Sequence, residues 1–150
     1  MSMADEISVP ITADGDIVAA RGEGRALAGR LGFGRTDATM IATAISEAGR
    51  NILVHAGSGE ILLRPAVEGN RTGVVVIARD TGPGIPDVAA ALRGGYATNN
   101  GLGLGLPGSR RIMDDFRIDT QVGRGTTVAM CKWRLRDELE RLRQARAPRA

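Results

Sequence analysis

Two helical stretches precede all but one short strand of this chain, and that order restricts its fold more than any motif does. Ile7-Ser8-Val9 with Ile11 alternates as a short first strand. Asp14 or Asp16 then starts a helix reaching about Leu31, which Gly22, Gly24 and Gly29 weaken. After the turn Gly32-Phe33-Gly34, Thr36 or Asp37 opens the strongest helix, running to about Ala56 with Gly57 as its stop. Its apolar stripe is Ile41, Ala44, Ile45, Ala48 and Ile52. Only then come strands, Glu60 to Val67 and Gly73 to Arg79, joined by Glu68-Gly69-Asn70. A Gly/Pro loop, a short helical piece near Asp87 to Arg93, a glycine run and a helix from about Leu106 to Asp115 follow. Phe116 to Val122 and Thr126 to Trp133 read as a hairpin turned at Gly123-Arg124-Gly125, and Arg134 to Arg146 as a charged helix. Regular βαβ alternation is missing. The order predicts an α/β (α+β) two-layer sandwich, a mixed sheet with helices on one face.

Composition excludes several classes. A chain of 150 residues with 43% apolar content reads as one compact domain with a real core. Four aromatics, Phe33, Tyr96, Phe116 and Trp133, are too few for a nucleic-acid stacking platform. Apolar runs such as Val74 to Ala78 are far too short to span a bilayer, and Met1 to Glu6 lacks the pattern of a signal peptide. The single cysteine, Cys131, permits no intrachain disulfide and reads as a buried, inert thiol. No nucleic acid, no membrane and a cytoplasmic setting are therefore expected. The net charge of +3 is uneven, since Arg134 to Ala150 carries six Arg against three acidic residues. Residues 1–134 read as the functional domain and residues 135–150 as a charged, solvated tail.

The glycine run Asn99-Asn100-Gly101-Leu102-Gly103-Leu104-Gly105-Leu106-Pro107-Gly108 holds no acidic residue and leads into a helix start. Such a segment brings backbone N–H groups close to an anion, where the helix dipole favours phosphate. Gly103 to Gly108 fits the G-x-G-x-x-G dinucleotide fingerprint, but that motif must follow a strand, and polar Thr98-Asn99-Asn100 stands there instead.

Three upstream and downstream features give the run its meaning. Glu47 and Asn51 lie one turn apart on the flank of the long helix's stripe. There a carboxylate can serve as a general base and an amide oxygen can ligate Mg²⁺, although a polar helix border also explains the pair. Asp80-Thr81-Gly82-Pro83-Gly84-Ile85 follows the most β-branched strand. An Asp at that strand end can accept the exocyclic amine of adenine or simply mark the exit into a turn. Gly123-Arg124-Gly125-Thr126 by itself reads as a hairpin turn; its use at a site would be a Thr hydroxyl beside a base pocket. His55 falls within the apolar stripe and reads as a core histidine.

In this order the four boxes resemble the ATP-binding fold shared by gyrase, the Hsp90 chaperones, histidine kinases and MutL, the GHKL superfamily. Glu47-x-x-x-Asn51 is similar to its N box, Asp80-x-Gly-x-Gly84 to its first glycine box, Gly101-Leu102-Gly103-Leu104-Gly105 to its lid and second glycine box, and Gly125-Thr126 to its last. Ser46 to Ile52, Asp80 to Asp87, Gly101 to Gly108, Arg111 to Phe116 and the ending Lys132-Trp133 are similar to the anti-sigma regulatory serine/threonine kinases. Within these, the chain resembles the RsbT-type switch kinases of the stressosome. The resemblance implies ATP and Mg²⁺ as cofactors. Glu47 would be the base that polarises a serine hydroxyl, Asn51 the Mg²⁺ ligand and Asp80 the adenine reader. Gly82 and Gly84, with Ile85 beside them, would let the base approach the backbone. Gly101, Leu102, Gly103, Leu104 and Gly105 would fold over the phosphates, and Thr126 would support the Asp80 end. The implied substrate is a STAS-domain anti-sigma-factor antagonist, with a PP2C-type phosphatase and a stressosome-like complex as further partners. Tyr96 to Gly105 departs from the pattern in carrying no Lys or Arg, which leaves Arg93 or Arg110 to face the γ-phosphate. An anti-sigma kinase that binds a sigma factor directly, and a nucleotide-gated binding module with little phosphotransfer, share the same boxes.

Overall fold

A computed structural model describes residues 6–87, 105–137 and 142. Along the chain run β1 (Ile7–Ile11), α1 (Asp14–Arg30), α2 (Arg35–His55), β2 (Gly59–Glu68), β3 (Arg71–Asp80), α3 (Gly105–Ile112), β4 (Asp115–Gln121) and β5 (Gly125–Leu135). The helical piece expected near Asp87 to Arg93 and the glycine run through Leu104 lie outside the described residues.

α2 forms where the stripe placed it. Ile41, Ala44, Ile45, Ala48 and Ile52 are all buried, Asp37 stands in the first turn where the helix dipole favours it, and Gly57 at φ +84° turns the chain back with its N–H on the Ile52 carbonyl. α1 lacks a comparable stripe and packs through small residues. A Cβ on Gly24 would overlap the Ile45 side chain, and one on Gly49 would sit 2.9 Å from Ile17. Glycines that weaken an isolated helix thus let α1 and α2 approach closely. At the start of α1 the Asp16 carboxylate accepts the backbone N–H groups of Thr12 (2.8 Å) and Ala13 (3.1 Å) and the Thr12 hydroxyl (2.9 Å). These bonds, those from Thr12 foremost, hold its carboxyl below the ordinary range.

The strands make one sheet in the order β1-β2-β3-β5-β4. The two-layer arrangement follows the expected one, but all four pairings are antiparallel, a narrower result than a mixed sheet. The reason is topological. β5 inserts between β3 and β4, so that these two strands, which run in the same direction, never become neighbours. Alternate residues, among them Ile11, Ile61, Leu63, Val74, Val76, Val128 and Met130, turn one face toward the helices and form the core with the α2 stripe and Phe33.

Two of the shifts from the expected boundaries have a visible cause. α3 stops at Ile112 rather than Asp115, because Asp114 donates its N–H to Cys131 (2.9 Å) and Asp115 pairs with Cys131 in the sheet. The chain's one lysine completes that stop, since Lys132 Nζ donates to the Ile112 carbonyl at 2.8 Å with Asp114 3.8 Å away. Arg134 and Leu135 end β5 instead of opening a charged helix. Arg134 pairs with Thr72, and its Nε donates to the Leu31 carbonyl at 2.7 Å, tying the last strand to the end of α1. Cys131 is buried as expected, and burial, reinforced by Asp115 and Asp114, pushes its thiol up to about 12. No described helix is long and apolar enough to cross a membrane.

Candidate functional site

The flank of α2, the ends of β3 and β5, the loop after β3 and the first turn of α3 converge on a pocket. Ala48, Asn51, Ile52 and His55 line it from α2, Ala78 and Asp80 from β3, and Thr126 and Val128 from β5; Ile85 and Leu106 complete the wall. Asn51, Asp80, Ile85 and Thr126, which the sequence singled out over a span of 76 positions, thus meet around one space. Its volume is about 30 Å³, room for water.

Asp80 is the last residue of β3 and pairs with Gly59 on one side and Thr126 on the other. Its Oδ1 accepts the Gly82 N–H at 2.9 Å, a turn that fixes the carboxylate and leaves lone pairs for a donor in the pocket. Asn51 has an unmet need of its own: Nδ2 is buried without a hydrogen-bond partner. Buried polar groups are nearly always satisfied, so an orphaned amide in a pocket wall is a candidate for contact with a ligand. Glu47, one turn earlier, does not line the pocket. Its side chain is 14% exposed, and the carboxylate stands 3.7 Å from Arg50.

The glycines of the loop meet a packing need the sequence did not show. A Cβ on Gly82 would stand 2.5 Å from the Ala56 Cβ at the end of α2, and one on Gly84 2.5 Å from the Gln121 carbonyl oxygen. A Cβ on Gly125 would overlap the Asp80 carbonyl, at φ +114°. These close approaches press the Asp80 turn against α2 on one side and the β4–β5 hairpin on the other. Gly123 adds an N–H to the Pro83 carbonyl at 2.8 Å. Gly105 begins α3, while Gly101, Leu102, Gly103 and Leu104 lie outside the described residues.

Sequence reasoning missed two residues. His55 lines the pocket rather than the core; spaced four from Asn51 and eight from Glu47, it continues the same helix flank. Thr120, opposite Thr126 in the β4–β5 ladder, touches Thr126 Oγ1 (2.8 Å), the Gly125 carbonyl (3.1 Å) and the Ile85 N–H (2.9 Å). The facing of two threonines across a short hairpin was the available signal.

An antiparallel sheet under two long helices, with a strand-end Asp and a helix-borne Asn facing one pocket, defines a class. The chain matches the histidine kinase-like ATPase domain over residues 10–132 and belongs to that family. Within it, the chain is 45% identical over 131 residues to the serine/threonine-protein kinase RsbT of Bacillus subtilis (strain 168), covering 87% of this chain and 98% of that one. It is also 34% identical over 100 residues to the anti-sigma F factor of Pasteuria penetrans, covering 63% of this chain and 67% of that protein. Among solved structures, the histidine kinase domain of the blue-light activated kinase of Erythrobacter litoralis EL346 aligns at TM-score 0.47 and 22% identity, over 79% of this chain and 59% of that one.

Proposed function

We propose that this chain is an ATP-dependent serine/threonine-protein kinase whose substrate is a STAS-domain anti-sigma-factor antagonist. Released from that substrate, it activates a PP2C-type phosphatase in a stressosome-like, partner-switching system. The observation that carries the reading is the pocket itself, where the Asp80 carboxylate and the orphaned Asn51 amide face one space. Near-complete coverage of RsbT at 45% identity supports the kinase assignment.

The roles follow from the chemistry of each group. Asp80 accepts the adenine amine, and a base without that amine leaves the carboxylate unpaired. Among the described residues no group of three or more His, Cys, Asp or Glu is placed to hold a metal ion. That fits Mg²⁺, which is commonly held by one or two protein oxygens plus substrate phosphates and water. Turning the Asn51 amide end for end costs no space and presents Oδ1 to such an ion. Bound there, Mg²⁺ would neutralise charge on the phosphates. Glu47 takes the proton of the substrate serine as its oxygen bonds to the γ-phosphorus and the β–γ bridging bond breaks, leaving ADP. The N-terminus of α3, following the glycine run, supplies N–H groups at the phosphate end.

The test is incubation with Mg²⁺, γ-labelled ATP and candidate STAS proteins. Label on a STAS serine, retained ATP binding in Glu47→Gln and a fall in transfer of about 10²–10⁴-fold are the expected results. Full transfer by Glu47→Gln would remove that residue from the mechanism. The similarity to anti-sigma F factors supports a second reading, direct binding of a sigma factor; capture of a sigma factor with no label on any STAS protein would favour it.

A further inference from the structure

The three contacts of Thr120 fix more than the hairpin. We infer that Thr120 is a specificity-determining positioning residue, which commits the Thr126 proton and so leaves Thr126, like Asp80 beside it, as an acceptor toward the pocket. The inference rests on the nucleotide reading above.

The derivation is a count of protons. A threonine hydroxyl has one hydrogen and two lone pairs. The Gly125 carbonyl, 3.1 Å from Thr120 Oγ1, can only accept, so that contact takes the Thr120 hydrogen. The Ile85 N–H, 2.9 Å away, can only donate and takes one lone pair. The remaining contact, Thr126 Oγ1 at 2.8 Å, is then a hydrogen bond only if Thr126 donates. All three are satisfied in this single arrangement, and Thr120 is saturated by it. Thr126, 8% exposed and lining the pocket, consequently presents lone pairs there and no hydrogen. Beside it the Asp80 carboxylate is acceptor-only as well. Two acceptors suit an exocyclic amine, which offers two N–H donors. They oppose a 6-oxo purine, whose oxygen would face lone pairs.

The experiment compares Mg-ATP with Mg-ITP, which carries oxygen in place of the amine, by equilibrium titration of the full chain. Wild type should prefer ATP. Thr120→Val frees the Thr126 hydroxyl to turn and donate to the 6-oxo group, and should narrow the preference by roughly three- to tenfold, the worth of one neutral hydrogen bond. Thr120→Ser should retain the wild-type ratio, and Thr120→Val with Thr126→Val should lose the gain in ITP binding. Thr126→Val alone, which does not depend on the Thr120 variant folding, should weaken ATP and bind ITP no less tightly than wild type does. A merely structural Thr120 would lower the melting temperature without moving the ratio. An unchanged ratio in Thr120→Val or equal weakening of both nucleotides in Thr126→Val would overturn the inference alone, whereas a wild type that binds both equally would overturn it together with the adenine-reading role of Asp80. A wild type that binds neither would overturn the nucleotide reading together with it.

Discussion

Two glycines of one hairpin separate the cost of backbone conformation from the cost of crowding. Gly123 has φ +82° and nothing within 4 Å of where a Cβ would stand. Gly125 has φ +114°, and its Cβ would overlap the Asp80 carbonyl and lie 2.8 Å from the Thr81 Cα. Gly123→Ala therefore bears only the conformational penalty, about 1–2 kcal/mol. Gly125→Ala bears that penalty and must also push β3 from β5, where backbone rather than a flexible side chain stands in the way. Overpacking of this kind costs about 1–3 kcal/mol more. In a chain of this size the extra term is roughly 2–12 °C in melting temperature. Urea and thermal melts of the two variants, run beside wild type, give the difference directly. Because the obstructing atom belongs to Asp80, Gly125→Ala should also weaken ATP binding, whereas Gly123→Ala should not. Equal destabilisation, or equal ATP affinity in two folded variants, would show that Gly125 does not hold the Asp80 turn in place.

Two further outcomes are expected. Asp80→Asn should weaken ATP binding and blur discrimination against GTP, since a pure acceptor gains a competing donor; titration of both nucleotides checks it, and unchanged ATP affinity would reduce Asp80 to a strand end. Asp16→Ala should be less stable than wild type at neutral pH, and the gap should close in acid. The Asp16 carboxyl is depressed in the folded state, so its contribution is complete above the ordinary carboxyl value of 3.8 and is lost as pH falls below it through the folded value. Melts from pH 7 to pH 2 measure it, and a gap independent of pH would show that the bonds to the carboxylate are not its source.

What the sequence revealed were features with a local cause. The α2 stripe, its Gly57 stop and the Asp80 strand end are periodicity and punctuation, and they stand where they were expected. What escaped depends on contacts distant in the chain. Gly24 counts against a helix until Ile45 is packed on it, and Thr120 is one polar residue on an alternating strand until the register sets it opposite Thr126. The end of α3 at Ile112 likewise requires Cys131 and Lys132 to be in place. Gly82 and Gly84 were legible as special positions, but their crowding against Ala56 and Gln121 follows only from the assembled loop. Part of the site was therefore visible as a list of residues before its supporting bonds could be.

The lysine at the end of α3 makes the chain a reporter on itself. Nineteen of its twenty Lys and Arg side chains are arginines, which do not react with amine-directed acylating reagents. Apart from the α-amino group, such a reagent finds one target, Lys132, whose side chain is 14% exposed and whose ammonium is engaged by the Ile112 carbonyl. Acylation requires that bond to open, so at fixed pH its rate follows how often the Lys132 side chain leaves the end of α3. The near end of the same helix carries Leu106 into the pocket. A single mass-spectrometric adduct, followed with and without nucleotide, thus reads the opening of the Lys132–Ile112 contact with no label introduced.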